Sequence, residues 1–442
     1  MGMTSGVAAQ PVAPVAAPPA MVFKEEPLSL QQAVERALET HVKTRVNKEK
    51  IRESEARVAE AWAGLNPTVN FNAGQYNRSI NLAAQGLSGA SLPIPIFVGP
   101  FYSFDGRVQF LYNFLDASKR WKVKASEVGK LISEQEFVLA RQQVDLLAAS
   151  AYVQLVSARN ARTAGLADLA LTNKNLELAQ HQKQQGVAAG IDVTRADSQR
   201  VEQELRQSNL DDRVRRANLD LARLMGTPLG TQYLPDQAEL PPIEQGLTPE
   251  AAFKIGFENR VELQVARLQE EQLGHQISAA DASDSPKMGL VGDYGFAGNT
   301  PALNVFGTHN VGLTLQIPLY DGGLSEAQMD TLKSQLEQVR LQRHDQEIQV
   351  EQDVRSSFLK LDLARQQIVT ARASLVLAQK EMTMSTDRFG AGLGTSLELV
   401  DAQAKLARAR DAEVQALVAY QIAQVQLASS MGKPELILGG KL

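Results

Sequence analysis

The 442-residue chain contains no cysteine. That absence removes disulfides, thiol catalysis, cysteine-bound zinc and a lipid-bearing N-terminal Cys, and it fits an oxidising compartment where stray thiols are a liability. No apolar run reaches 18 residues, so no helix is expected to span a bilayer. An excess of positive charge is also missing: 45 Lys and Arg stand against 50 Asp and Glu, a formal charge of −5. This balance argues against a nucleic-acid partner. Aromatic residues are only 5% of the chain, few for an ordinary core, which favours an elongated architecture. Catalytic patterns are absent too. There is no HExxH, GxSxG, phosphate-binding loop or GxGxxG after a strand, and His41, His181, His275, His309 and His344 lack metal-ligand spacing. We expect no enzyme, no cofactor and no resident metal.

Proline is where the chain becomes informative, because in a helix interior it costs about 3 kcal/mol. None lies between Pro100 and Pro228 or between Pro318 and Pro434, and both windows are rich in good helix formers. Two very long helices are therefore expected. In the second window Val350, Val354, Ser357, Leu361, Ala364, Ile368, Ala371, Leu375, Ala378 and Met382 alternate in steps of four and three, an unbroken heptad seam. Shifted back, the same seam reads Val144, Ala148, Ala151, Leu155, Ala158, Arg162, Gly165, Leu169, Thr172 and Leu176, broken by Arg162. A soluble coiled coil explains this stripe equally well.

Aromatics sit elsewhere. Fourteen of the 24 fall within residues 71–121 and 294–320, where apolar residues alternate with polar ones or glycine. Val108, Phe110, Tyr112 and Phe114 alternate with Arg107, Gln109, Leu111 and Asn113, the period-two signature of a strand. Strands are predicted at about 68–77, 101–114, 288–297 and 308–320. About ten residues at a tilt is the length that crosses an outer membrane.

The chain also repeats itself. Leu28-Ser29-Leu30-Gln31-Gln32-Ala33 resembles Leu247-Thr248-Pro249-Glu250-Ala251-Ala252, and Leu224-Met225-Gly226-Thr227-Pro228 resembles Ser430-Met431-Gly432-Lys433-Pro434. We divide the chain into a flexible Ala/Pro-rich leader (1–27, with no visible signal peptide), repeat 1 (28–227), a connecting segment (228–246), repeat 2 (247–433) and a tail (434–442). Each repeat reads helix, strand, loop, strand, long helix, tight turn, return helix. The turns fall at Gly186-Val187-Ala188-Ala189-Gly190 and at Gly390-Ala391-Gly392-Leu393-Gly394, where glycine suits a reversal.

Four strands cannot close a membrane barrel, since single-chain barrels begin at about eight. Three chains supply twelve strands, and their helices side by side make a tube below them. The expected fold is thus mainly α with a β-barrel part: two long-helix hairpin repeats plus four strands per chain, a trimer forming a 12-stranded barrel and an α-helical periplasmic tunnel. The rival is a soluble coiled-coil scaffold or adaptor without a barrel, which leaves the paired aromatic strands unexplained.

Arg388-Phe389-Gly390-Ala391-Gly392-Leu393-Gly394-Thr395-Ser396-Leu397-Glu398-Leu399-Val400-Asp401-Ala402-Gln403 and Tyr320-Asp321-Gly322-Gly323 carry a resemblance. The chain after residue 27 resembles the TolC-like trimeric outer membrane efflux proteins. That resemblance implies a homotrimeric outer membrane channel with its helical part in the periplasm. It would take substrates from an inner membrane transporter through a periplasmic adaptor. The adaptor would dock at tips represented here by Gly186, Val187, Ala188, Ala189, Gly190, Gly392, Leu393, Gly394 and Thr395. By position, Glu398 and Asp401 match acidic residues that ring the periplasmic entrance in some members; the alternative is that they only start the return helix, where acids suit the dipole. The family's tip lock joins a Tyr and an Arg to a repeat-one Asp. Asp192 matches that Asp, but Phe389 and Gly394 occupy the other two positions. Arg195 pairing with Glu398 or Asp401 is the expected substitute.

Overall fold

The computed structural model describes residues 24–85, 95–236 and 247–438. The expected leader up to residue 23 and parts of the first strand loop, the connecting segment and the tail lie outside the described residues. Repeat 1 comprises β1 (Lys24–Leu28), α1 (Leu30–Thr40), α2 (Val42–Ala63), β2 (Thr68–Asn81), β3 (Phe97–Leu115), α3 (Ala117–Gln184) and α4 (Gly190–Leu224). After β4 (Thr231–Pro235), repeat 2 comprises α5 (Pro249–Asn259), α6 (Val261–Asp281), β5 (Lys287–Gly298), β6 (Phe306–Gln316), α7 (Leu324–Gly390) and α8 (Ser396–Ser430). The chain folds as two compact units, one of residues 1–41, 147–241 and 363–422, the other of 42–146, 242–362 and 423–442.

Local chemistry accounts for the element starts. Ser29 caps α1 through a reciprocal box with Gln32, its hydroxyl accepting from the Gln32 N–H at 3.1 Å. Thr248 caps α5 ahead of Pro249, whose missing N–H costs nothing in a first helical turn. Asp321, at the entry to α7, accepts from the Ser325 hydroxyl and the N–H groups of Ser325 and Gly323, which hold its carboxyl below the usual range.

The second unit contains the long strands. They form one antiparallel sheet in the order β2-β3-β5-β6. The two repeats meet at β3 and β5, where Val108 pairs Tyr294 and Tyr112 pairs Leu290. This register places Val69, Phe71, Val108, Phe110, Tyr112, Leu290, Tyr294, Phe296, Val311 and Leu313 on one face. Asn70, Asn72, Arg107, Gln109, Asp293, Thr308 and Asn310 share the other. On that polar face the Asn72 amide donates to Gln109 at 3.0 Å, and Arg107 donates to Asp105 at 2.6 Å and to Asp293 at 2.8 Å. The apolar face is open: Phe71 is 70% exposed and Val311 73%. β2 and β6 are edges that no described strand of the chain covers.

The first unit has a feature that periodicity did not show. Lys24–Leu28, of which residues 24–27 were expected as the end of a flexible leader, is a strand paired in parallel with Thr231–Pro235 in the connecting segment. Two nearly inaccessible tyrosines anchor this pair. The Tyr152 hydroxyl donates to the Leu28 carbonyl and to Asp236, each at 3.2 Å, and the Tyr233 hydroxyl donates to Thr227 at 2.7 Å. Asn218 on α4 completes the attachment, accepting from the Tyr233 N–H and donating to the Thr231 carbonyl.

The α7 seam is buried at Val350, Val354, Ser357, Leu361, Ala364, Ala371, Ala378 and Met382. In α3 the seam holds from Val144 to Ala158 and again at Gly165 and Thr172, but fails at Arg162, which faces solvent and pairs with Asp211 at 2.6 Å. The buried row continues through Ala161, Asp168, Thr172, Asn175, Ala179 and Gln182, while Leu169 and Leu176 are only half-buried. The lower half of this helix therefore buries polar groups, which need partners.

Candidate constriction at the helical turns

Both reversals are built alike, one after the C-terminal end of α3 and the other after that of α7. Gly186 adopts φ +76° and Gly392 φ +73°, the left-handed conformation that closes a Schellman motif. The Val187 N–H reaches back to the Gln182 carbonyl at 2.9 Å, and the Leu393 N–H to the Arg388 carbonyl at 2.8 Å. Beyond each turn the return helix is capped differently. Asp192 accepts from the Ala189 N–H at 3.0 Å, whereas the Thr395 hydroxyl accepts from the Glu398 N–H at 3.2 Å. At Gly392 a Cβ would meet Cγ1 of Val187 at 3.4 Å, so the turns touch.

Between the turns lies a buried cluster of Ala179, Ala378, Met382, Phe389, Leu399, Ala402, Leu406 and Ala409. The polar row of α3 finds its partners beside it, on α8 and at the end of α7. Gln182 donates to the Phe389 carbonyl, Asn175 donates to Gln403 at 3.0 Å, and Gln403 donates to Thr172. Further along, Asp168 is paired with Arg410, and Arg206 on α4 holds both carboxylate oxygens of Asp411 at 2.5 Å. Asp168 is almost wholly buried, and its second oxygen has no hydrogen-bond partner. Burial raises its carboxyl above the usual range, the nearby Arg410 and Arg206 opposing that rise and Asp411 adding to it.

The acidic positions singled out by sequence are arranged otherwise than expected. Arg195 pairs with neither Glu398 nor Asp401. It lies 3.6 Å from Asp192, one turn before it on α4, and donates to the Ser396 hydroxyl at 3.4 Å. Glu398 faces Arg388 at 3.6 Å instead, because Arg388 ends α7 where α8 begins. Asp401 is 3.4 Å from Lys405, whose ammonium lies 2.6 Å from Glu381; that second carboxylate raises the Lys405 pKa. Phe389, at the expected Tyr position, is buried in the cluster, and Gly394 gives its N–H to the Arg388 carbonyl. The tie to Asp192 is made by the Ser396 hydroxyl. Sequence reasoning placed Ser396 and Gln403 in the turn signature without their contacts, and missed Asp168 and Arg410; the break of the seam at Arg162 was the available signal for Asp168.

Comparison with known proteins fits this geometry. The family model described as "Outer membrane efflux protein" matches residues 33–227 and 257–433. The chain is 23% identical over 391 residues to the pyoverdine export outer membrane protein OpmQ of Pseudomonas aeruginosa, covering 87% of this chain and 80% of that one. It is 23% identical over 347 residues to the outer membrane protein TolC of Escherichia coli, covering 74% and 68%. Among solved structures, the outer membrane protein VceC of Vibrio cholerae superposes with a TM-score of 0.74 at 19% identity, covering 91% of this chain and 96% of that one.

Proposed function

The chain belongs to the outer membrane efflux protein family, and from that premise we propose that three copies form an outer membrane duct. A periplasmic adaptor and an inner membrane transporter deliver its substrates, and no reaction is catalysed. The observation that carries this reading is the sheet: four long strands with an exposed apolar face, a polar face and two unpaired edges. Exposed edges and apolar faces are unfavourable in water, and closure with other copies removes both in a membrane. The polar face, with Arg107, Gln109 and Asn310, then lines the lumen.

The helical turns form the entrance. Gly186 to Gly190 and Gly392 to Thr395 present the adaptor-docking surface, and Glu398, Asp401, Asp192 and Arg195 surround the constriction. Threefold repetition of Glu398 and Asp401 brings six carboxylates to one ring, which favours cations. Arg388 and Lys405 neutralise part of that charge. Planar-bilayer conductance tests the assignment. The wild-type channel should prefer cations, and Glu398→Ala with Asp401→Ala should reduce that preference; an unchanged reversal potential removes the ring from the account.

A further inference from the structure

Where β3 passes into α3, the chain places four cations in six residues: Lys119, Arg120, Lys122 and Lys124 around Trp121. Their recorded contacts are neutral. Lys119 donates to the Gly64 carbonyl at 2.9 Å, Arg120 donates to the Phe114 carbonyl at 3.2 Å, and the Lys124 ammonium stands 4.2 Å over the Trp121 ring. Among the described residues, none of the four lies within ion-pair distance of a carboxylate. On the same helix Lys130 and Arg162 do have such a partner, and the cluster is open to a counter-charge from outside the chain. The corresponding stretch of repeat 2, Leu324 to Met329, holds one Glu and no Lys or Arg. Starting a helix after a strand therefore does not itself require the cluster.

Beside the cations is a groove of about 500 Å³. That volume is within the roughly 300–1,000 Å³ of ligand sites. Trp62, Leu65, Tyr112 and Phe114 supply its apolar wall, and Arg120 and Lys124 its charged rim. Glu127 also borders it, with its carboxylate accepting from the Trp62 indole N–H at 3.3 Å. Tyr112 continues the apolar row of β3 through Phe110 and Val108, and the Phe114 ring lies 6.2 Å from the Tyr112 ring, so the wall runs onto the face assigned to lipid. Trp and Tyr beside long basic side chains make an interfacial site, with rings at headgroup level and cations reaching the polar boundary.

We propose that this groove binds an anionic phospholipid of the leaflet nearest the helices, with its phosphate between Arg120 and Lys124 and its acyl chains along Tyr112 and Phe114. The inference rests on the membrane reading above. Charge-assisted bonds from two cations to one phosphate oxygen group favour an anionic headgroup, whose net charge a zwitterionic lipid cancels with its own ammonium.

The chain has two tryptophans: Trp62 lines the groove, and Trp121 lies beside it, under the Lys124 ammonium and stacked on His275. Full-length protein in phosphatidylcholine vesicles can therefore be titrated with acyl-brominated phosphatidylglycerol while tryptophan fluorescence is followed. Quenching should occur at about tenfold lower mole fraction than with brominated phosphatidylcholine. Arg120→Gln with Lys124→Gln should abolish that preference, and Arg120→Lys with Lys124→Arg should keep it. Flotation of the protein with the vesicles is scored separately. Protein that floats but shows equal quenching by the two lipids, or loses the preference to inorganic phosphate at equal concentration, overturns the lipid site alone. Protein that fails to float overturns the membrane reading and this inference together.

Discussion

The buried Asp168–Arg410 pair gives the sharpest test of how the helical turns are held. Replacing Arg410 by Met keeps the aliphatic stem and removes the only ionic partner that the Asp168 carboxylate touches among the described residues. Breaking a buried pair from one side costs about 3–5 kcal/mol, because an uncompensated charge remains inside. Replacing both residues with apolar ones of similar size is close to neutral, within about 1 kcal/mol in either direction. Arg410→Met should therefore destabilise by ~3 kcal/mol or more, and adding Asp168→Leu should restore most of that loss. The penalty also depends on pH. Burial already raises the Asp168 carboxyl, and loss of Arg410 raises it further. The variant relieves its strain by binding a proton, so its defect should shrink from pH 8 towards pH 5. Hydrogen exchange of α3 and α8 between residues 160 and 185 and between 396 and 412 reads the local opening free energy. A single variant within about 0.5 kcal/mol of wild type, or a double variant as unstable as the single one, refutes the claim that this pair holds the helices.

Three further substitutions test the turn geometry and a second carboxyl raised by burial. Gly392→Ala should cost about 1–2 kcal/mol, since φ is +73° there and the new Cβ would meet Val187. Gly190→Ala, in the first turn of α4 with nothing within 4 Å of the new Cβ, should be neutral or slightly stabilising; thermal melts of the two variants distinguish turn geometry from mere proximity to the tip. Asp145 in α3 is pushed up to about 6, first by burial and then by Glu435, with Arg141 opposing. Because its folded pKa is raised, its contribution is most favourable below the unfolded value near 3.8 and is lost as pH rises through about 6. Full burial would make that loss ~3 kcal/mol, and solvent screening reduces it to ~1–2 kcal/mol. Asp145→Asn should accordingly raise stability above pH 6 and leave it unchanged near pH 4.

Much of this architecture was legible in the residues themselves, for reasons that differ between elements. The strands were readable because one face meets a different solvent from the other, so Val108, Phe110 and Tyr112 had to alternate with Arg107, Gln109 and Asn113. The turns were readable because a left-handed residue at 186 and 392 calls for glycine. The parallel pair of β1 and β4 was not readable: five-residue strands carrying Pro27 and Pro235 leave no periodic trace, and what fixes them is Tyr152 and Asn218, far off in sequence. The polar row of α3 was hidden for a related reason. Asn175 and Gln182 look like a solvated face until Gln403 and the Phe389 carbonyl come into contact with them. Charge partners were the least legible, since Arg195 and Arg388 both lie within reach of the second turn and only the meeting of α7 with α8 selects Arg388 for Glu398.

The central claim is that one copy supplies only part of a closed wall. Native mass spectrometry of the protein released from detergent measures this directly. The account predicts three copies of the 48.1 kDa chain that resist dissociation until heated. A single copy that stays dispersed without detergent would contradict it.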